Sequence, residues 1–219
     1  MKRCLVILLA IPLNPGNFGY ASTEFVGVKK TSCIEYLQYS DPIGKRYRTL
    51  TILNNDKTIR ELRGEIDNGG TFEKIDPPEL SPDGNFVLLS QIESGEVETL
   101  SGSAIHHEVA YCELVDLRSG CIIARETGEF CGGTFTRDGR WKNQLYPEFH
   151  LTAEIPRAKK YVEGILKFAD SPASSFDNLL NCDPPDANNK EDYRTIIENN
   201  IFNLDNIQRE FLRRNLNDN

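Results

Sequence analysis

The sequence predicts an α+β protein: mainly an antiparallel β-meander, propeller-blade-like or a sandwich, followed by a helical C-terminal segment. Three observations carry this. Strand-like runs bounded by turn residues recur about every 10 to 14 residues through the first two thirds of the chain. One turn pattern occurs twice, as Ser81-Pro82-Asp83-Gly84 and as Thr136-Arg137-Asp138-Gly139, each leading into an aromatic residue. Beyond His150 the apolar spacing changes to three and four, the period of a helix.

The first element, residues 1–21, reads as a secretory signal peptide. Lys2 and Arg3 precede an apolar run from Leu5 to Leu13, and Gly19 and Ala21 supply small residues for cleavage after Ala21. The run is too short to span a bilayer, so no stable membrane insertion is expected. Cys4 precedes the run and is not a lipid attachment site. The expected location is therefore periplasmic or secreted. Removing this segment takes away two positive charges and no acids, so the formal charge moves from −8 to −10. Such an acidic chain lacks the electrostatic footprint of a nucleic-acid binder and suits a basic protein partner.

From 22 to 150 the chain reads as the β domain. Strand-like runs lie at 34–39, ended by Asp41-Pro42, at 46–53, ended by Asn54-Asn55-Asp56-Lys57, and at 58–66, ended by Asp67-Asn68-Gly69-Gly70. Further runs follow at 86–92, 109–117 and 121–126. The run at 109–117 is apolar on both faces, which predicts a central strand covered on each side. Arg118-Ser119-Gly120 reads as a hairpin turn. Between them, 94–108 reads as a polar loop, the place where binding residues concentrate.

In Ser81-Pro82-Asp83-Gly84, Pro82 presets φ, Asp83 hydrogen-bonds nearby amides and Gly84 accepts a positive φ. Asp138-Gly139 repeats the turn 55 residues later without the proline. The two segments resemble the Asp-Gly turn repeat of TolB-like β-propellers. The resemblance spans two stretches of about ten residues, and a ring needs at least four blades, so it implies antiparallel meanders, not a complete propeller.

From 151 to 219 the helical segment is expected to pack on the β domain. Residues 153–169 predict a helix with Pro156 in its first turn, and Ser174 or Ser175 caps a short turn through Phe176 and Leu179. Residues 183–189 read as a linker. Residues 192–202 and 206–216 predict two helices, the second capped by Asp205.

In an oxidising compartment the remaining cysteines, Cys33, Cys112, Cys121, Cys131 and Cys182, are disulfide candidates. The expected bridge is from Cys112 to Cys121 or from Cys121 to Cys131, with Cys33 or Cys182 expected to tie the helical end to the sheet. The odd count leaves one thiol over, and spacing does not decide the pairing. No Cys-x-x-Cys spacing occurs, so no metal is expected.

No nucleophile elbow, phosphate loop or other catalytic motif occurs, and no catalytic residue or cofactor is predicted. The candidate contact residues are His106, His107 and Glu108 in the 94–108 segment, with Arg140, Trp141 and Tyr146 beyond the second turn. In an extended segment His106 and Glu108 share a face and His107 points away. Tryptophan and arginine are enriched at interface hot spots. In general character (small, exported, acidic, disulfide-stapled, β-rich) the chain is similar to the periplasmic immunity proteins of type VI secretion toxins. That resemblance implies a protein partner, a basic toxin or effector. The alternatives are an exported carboxylate-based hydrolase and an envelope scaffolding module.

Overall fold

The computed structural model describes residues 24–27, 32–41, 46–64, 70–75, 77–99, 102–168 and 172–217; the expected signal peptide lies outside them. Eight strands form one antiparallel sheet: β1 (Glu24–Gly27), β2 (Ser32–Asp41), β3 (Arg46–Asn54), β4 (Lys57–Arg63), β5 (Thr71–Glu73), β6 (Phe86–Glu98), β7 (Ala104–Asp116) and β8 (Cys121–Thr127). They pair in chain order, except that β4 and β5 share one edge of β3. The expected meander is present. A small hairpin, β9 (Thr134–Phe135) with β10 (Trp141–Lys142), follows.

Turn chemistry explains the connections. Asn55 and Asp56 both take positive φ, 52° and 60°, as a two-residue hairpin turn needs. The repeated turns are built alike. Ser81 Oγ donates to Asp83 Oδ1 (2.6 Å) and Gly84 has φ 65°; Thr136 Oγ1 donates to Asp138 Oδ1 and Gly139 has φ 81°. In each the glycine N–H closes the turn, onto Ser81 O at 2.8 Å and Thr136 O at 2.9 Å.

The sheet folds over on itself. Along β3, Arg63 pairs with Thr49 and Phe72 with Tyr47, so β4 and β5 lie end to end. Where they meet, a Cβ on Gly64 would come 1.8 Å from Gly70 O, so glycine is required. Arg60 of β4 touches Gly120 in the β7–β8 turn, where an added Cβ would sit 2.6 Å from Arg60 Cβ. On a flat sheet these two would lie at opposite ends. The fold line passes through Gln38 (φ 58°), the register shift beyond Tyr39 and the Gly64–Gly70 junction, as strands bend at the corner of a sandwich.

One core fills the fold, with Ile34, Tyr36 and Ile52 on one layer and Leu89, Val115 and Ile122 on the other. A second lies on the opposite face of β6–β8, where Leu88, Cys112 and Leu114 meet Phe130 and Trp141. The inner half of β7 is thus covered on both faces, as its apolar run predicts. Each such side chain contributes about 1.5–3 kcal/mol by leaving water.

The helices are α1 (Leu151–Glu154), α2 (Ala158–Val162), α3 (Phe176–Cys182), α4 (Lys190–Glu198) and α5 (Asn206–Asn217). The expected single helix over 153–169 is broken in two. Pro156 forces Ile155 to an extended ψ of 124°, which ends α1, and Gly164 (φ 70°) lies just past α2. Ser175 caps α3 by accepting from Asn178 N–H at 3.1 Å, and Asp205 forms a reciprocal capping box with Gln208. These helices have their own core around Phe176, Leu179, Tyr193 and Phe202.

Asn178 joins the two parts. Fully buried, it accepts from Ile122 N–H and donates to Ile122 O, both at 2.9 Å, so a side-chain amide from α3 takes the place of a further strand on β8. The disulfides are Cys112–Cys131 and Cys121–Cys182, with Cα separations of 5.5 and 4.7 Å. Neither Cys112–Cys121 nor Cys121–Cys131 forms. The β7–β8 hairpin places Cys112 opposite Glu126 and Cys121 opposite Asp116, far from each other along the ladder. Of the two candidates for tying the helical end, Cys182 does so, and Cys33 is buried in β2.

Candidate functional site

The segment expected to be a loop, 94–108, is instead mostly strand. β6 and β7 pair without interruption from Phe86–Asp116 out to Glu98–Ala104, thirteen residues on each side. At the tip, Thr99 N–H donates to Ser103 O at 2.9 Å, and Thr99 Oγ1 donates to the same carbonyl. β5 accompanies β6 only to Ile92, and β8 accompanies β7 only from Tyr111. The outer six pairs therefore leave the sheet as a two-stranded arm about 20 Å long.

Period-two alternation gives this arm two unlike faces. One carries Val97 directly opposite Ile105, with Gly95 opposite His107 and Glu93 opposite Val109. Val97 and Ile105 are 50% and 49% exposed, an apolar pair in water. The other face carries Glu98 opposite Ala104, Glu96 opposite His106 and Ser94 opposite Glu108. His106 Nε2 lies 3.7 Å from Glu108 Oε1, so these two share a face as expected, and His107 is on the other. Arg46 Nη1 donates to Glu108 at 2.7 Å, and this bond holds the Glu108 carboxyl below its usual range.

At the root of the arm one cation serves two acids. Arg125 of β8 donates through Nη2 to Glu93, stacks its guanidinium 3.6 Å above the Tyr111 ring, and brings Nε to 3.3 Å from Glu113. Glu113 is fully buried between the layers, and neither of its oxygens receives an aligned hydrogen bond. Burial pushes its pKa up to about 7 and Glu93 adds to the rise, against the pull of Arg125 and Arg60. Arg60, on the facing layer, donates to Asp177 O at 3.0 Å. This cluster ties the first residue of the arm to the core. Sequence reading missed it, because its members lie on four different strands.

The second group of expected contact residues is split. Trp141 is 3% exposed and packs between Phe130 and Phe135 at ring distances of 5.7 and 5.1 Å. A Cβ on Gly133 would come 2.4 Å from its indole, so the ring fills a slot that only glycine leaves open. The surface role expected of Trp141 gives way to a core role, because the apolar side of β7 needs a cover there. Arg140 is exposed and bonded to Asp138 at 2.7 Å; Tyr146 is 38% exposed, edge-on to Phe130. A shallow depression of about 420 Å³ nearby is lined by Glu129, Gly132, Thr134, Lys142, Asn143 and Gln144. It holds no histidine, cysteine or serine.

Among the described residues no group of three His, Cys, Asp or Glu could hold a metal ion, and no helix is long and apolar enough to cross a membrane. A sequence signal for the arm does exist: no lysine or arginine occurs between Lys74 and Arg118. The chain matches no family model, no curated protein and no solved structure.

Proposed function

We propose that this protein is exported and works by binding another protein, as an immunity-type inhibitor of a basic toxin or effector, with the β6–β7 arm as its contact element. The observation that carries the reading is the arm itself. It is a continuously paired hairpin, longer than the sheet requires, with an apolar pair near its end and only acids as fixed charges. Exposed apolar side chains ringed by charge mark interaction surfaces. The net acidic charge would steer a basic partner and speed encounter. The two disulfides support folding in an oxidising compartment.

The hydrolase reading has one observation in its favour, the raised Glu113 carboxyl, but a substrate would have to reach a side chain with no exposed surface. The test is affinity capture of the C-terminally tagged chain from its native cells. One stoichiometric partner, encoded beside it and rendered harmless by it, is the expected result. Recovery of the chain alone overturns the inhibitor reading.

A further inference from the structure

Among the described residues both main-chain edges of the arm are unpaired, that of β6 beyond Ile92 and that of β7 before Tyr111, and the β7 edge is the longer. β8 stops at Thr127, opposite Tyr111, and the chain then turns into the short 3-10 helix Gly128–Gly132. Among the described residues no strand pairs with the outer edge of β7 from Ala104 to Ala110, and all of these residues except half-buried Val109 are exposed. Open edges of this length are normally covered or blocked, because unpaired N–H and C=O groups recruit another strand. Here the blocking charge has a single sign. Glu96, Glu98 and Glu108 lie on one face, and the other holds Val97, Ile105 and Val109.

We infer that the partner supplies an extended segment that adds to this edge as a strand in line with β8, with lysine or arginine alternating with apolar side chains. This rests on the protein-binding reading and specifies its chemistry. An added strand continues the pleat, so its alternate side chains fall on the two faces already described. On the polar face the added strand lies directly beside Ala104, His106 and Glu108 of β7. Its long basic side chains reach past Ala104 and His106 to Glu98 and Glu96 on β6, about 10 Å away. For these two acids no cation partner occurs among the described residues, while Glu108 already has Arg46. Apolar residues extend the Val97–Ile105 pair. A second copy of this chain is the wrong occupant, since two acidic arms repel each other; the same charge that rejects a like strand admits a basic one.

The test uses the full chain and an acetylated, amidated peptide of alternating lysine and valine. Hydrogen exchange is read residue by residue. The expected result is slower exchange at amides within 104–110, and binding weakened about tenfold or more by Glu96→Lys with Glu98→Lys. A peptide of the same composition in two blocks should leave those amides unchanged, and so should one with glutamate replacing lysine. N-methylation of the peptide amides that face the arm should abolish binding, and methylation of the alternate set should not. Unchanged exchange along 104–110, equal action of the block peptide, or an arm-mediated dimer of this chain overturns the inference. A captured partner that shields Val97 and Ile105 but not the 104–110 amides overturns strand addition and leaves protein binding standing. Peptide protection of 104–110 with no partner captured supports strand addition and strikes the inhibitor reading alone.

Discussion

The two halves of the β6–β7 hairpin share one ladder and one register, yet they live in different surroundings. From Val87 to Ile92 and from Cys112 to Asp116 the hairpin is packed on both faces, with Leu89 and Val115 against the folded-over layer and Leu88 and Leu114 against Phe130 and Trp141. From Glu93 to Glu98 and from Ala104 to Val109 it has no such cover. The inner half is held by burial. The outer half is held by cross-strand pairs and by Arg125, which grips Glu93 at the border. A two-stranded ribbon is marginal by itself, so the outer half depends on the inner half for its shape. The difference separates stability from contact, and substitutions in the two halves should have different readouts.

The largest expected effect comes from loosening what covers the inner half. The Cys121–Cys182 bridge spans 61 residues and holds the helical segment over β8. Replacing both cysteines by serine should cost about 4 kcal/mol in urea unfolding, against about 3 for Cys112–Cys131 with its 19. Non-reducing peptide mapping should recover both of these linkages. Leu114→Ala, in the twice-covered strand, should cost roughly 3 kcal/mol through the cavity it leaves. If Val97→Ala or Ile105→Ala costs as much, the hairpin is one energetic unit and the contrast between its halves is wrong.

Glu113 sharpens the comparison through pH. Its folded pKa is raised, to about 7 from 4.5, so the stability it contributes is present below 4.5 and is lost as pH rises through 7. The shift corresponds to a swing on the order of 3 kcal/mol. The wild-type chain should therefore lose more stability between pH 5 and pH 8 than Glu113→Gln, which keeps the shape and removes the charge. Equal pH profiles would show that the carboxylate is not desolvated. The smallest stability effect belongs to the arm. Glu96→Lys with Glu98→Lys should move unfolding by less than about 0.5 kcal/mol. It should still abolish partner capture. A folding defect instead would place these residues in a structural role.

How legible these two halves were follows from their chemistry. The inner half announces itself at 109–117, because a strand buried on both faces must be apolar on both. The outer half has Glu96, Glu98, Glu108 and His106 on one face, and His107 and a mid-strand glycine interrupt the apolar residues of the other. With nothing to bury, its alternation of polar and small residues reads as a loop, and only pairing with β6 shows it to be a strand. Trp141 shows the opposite limit. Its type suggests an exposed anchor, but residue type does not reveal whether a neighbouring face needs a lid. His106 and Glu108 were placed correctly relative to each other, since the two-residue repeat holds wherever the chain is extended.

By itself the sequence determined the local events: the paired residues at Asn55-Asp56, the Asp83-Gly84 and Asp138-Gly139 turns, a serine cap at 174 or 175, the cap at Asp205, and the run of strands they separate. Each depends on neighbours within a few positions, where side-chain chemistry acts directly on φ and ψ. Tertiary structure alone decided the fold-over that brings Arg60 to Gly120, the choice of Cys131 and Cys182 as bridge partners, the Arg125–Glu113 pair and the freedom of the arm. These join residues far apart in the chain, and their closeness is set by how whole layers bury apolar surface, which no local pattern encodes.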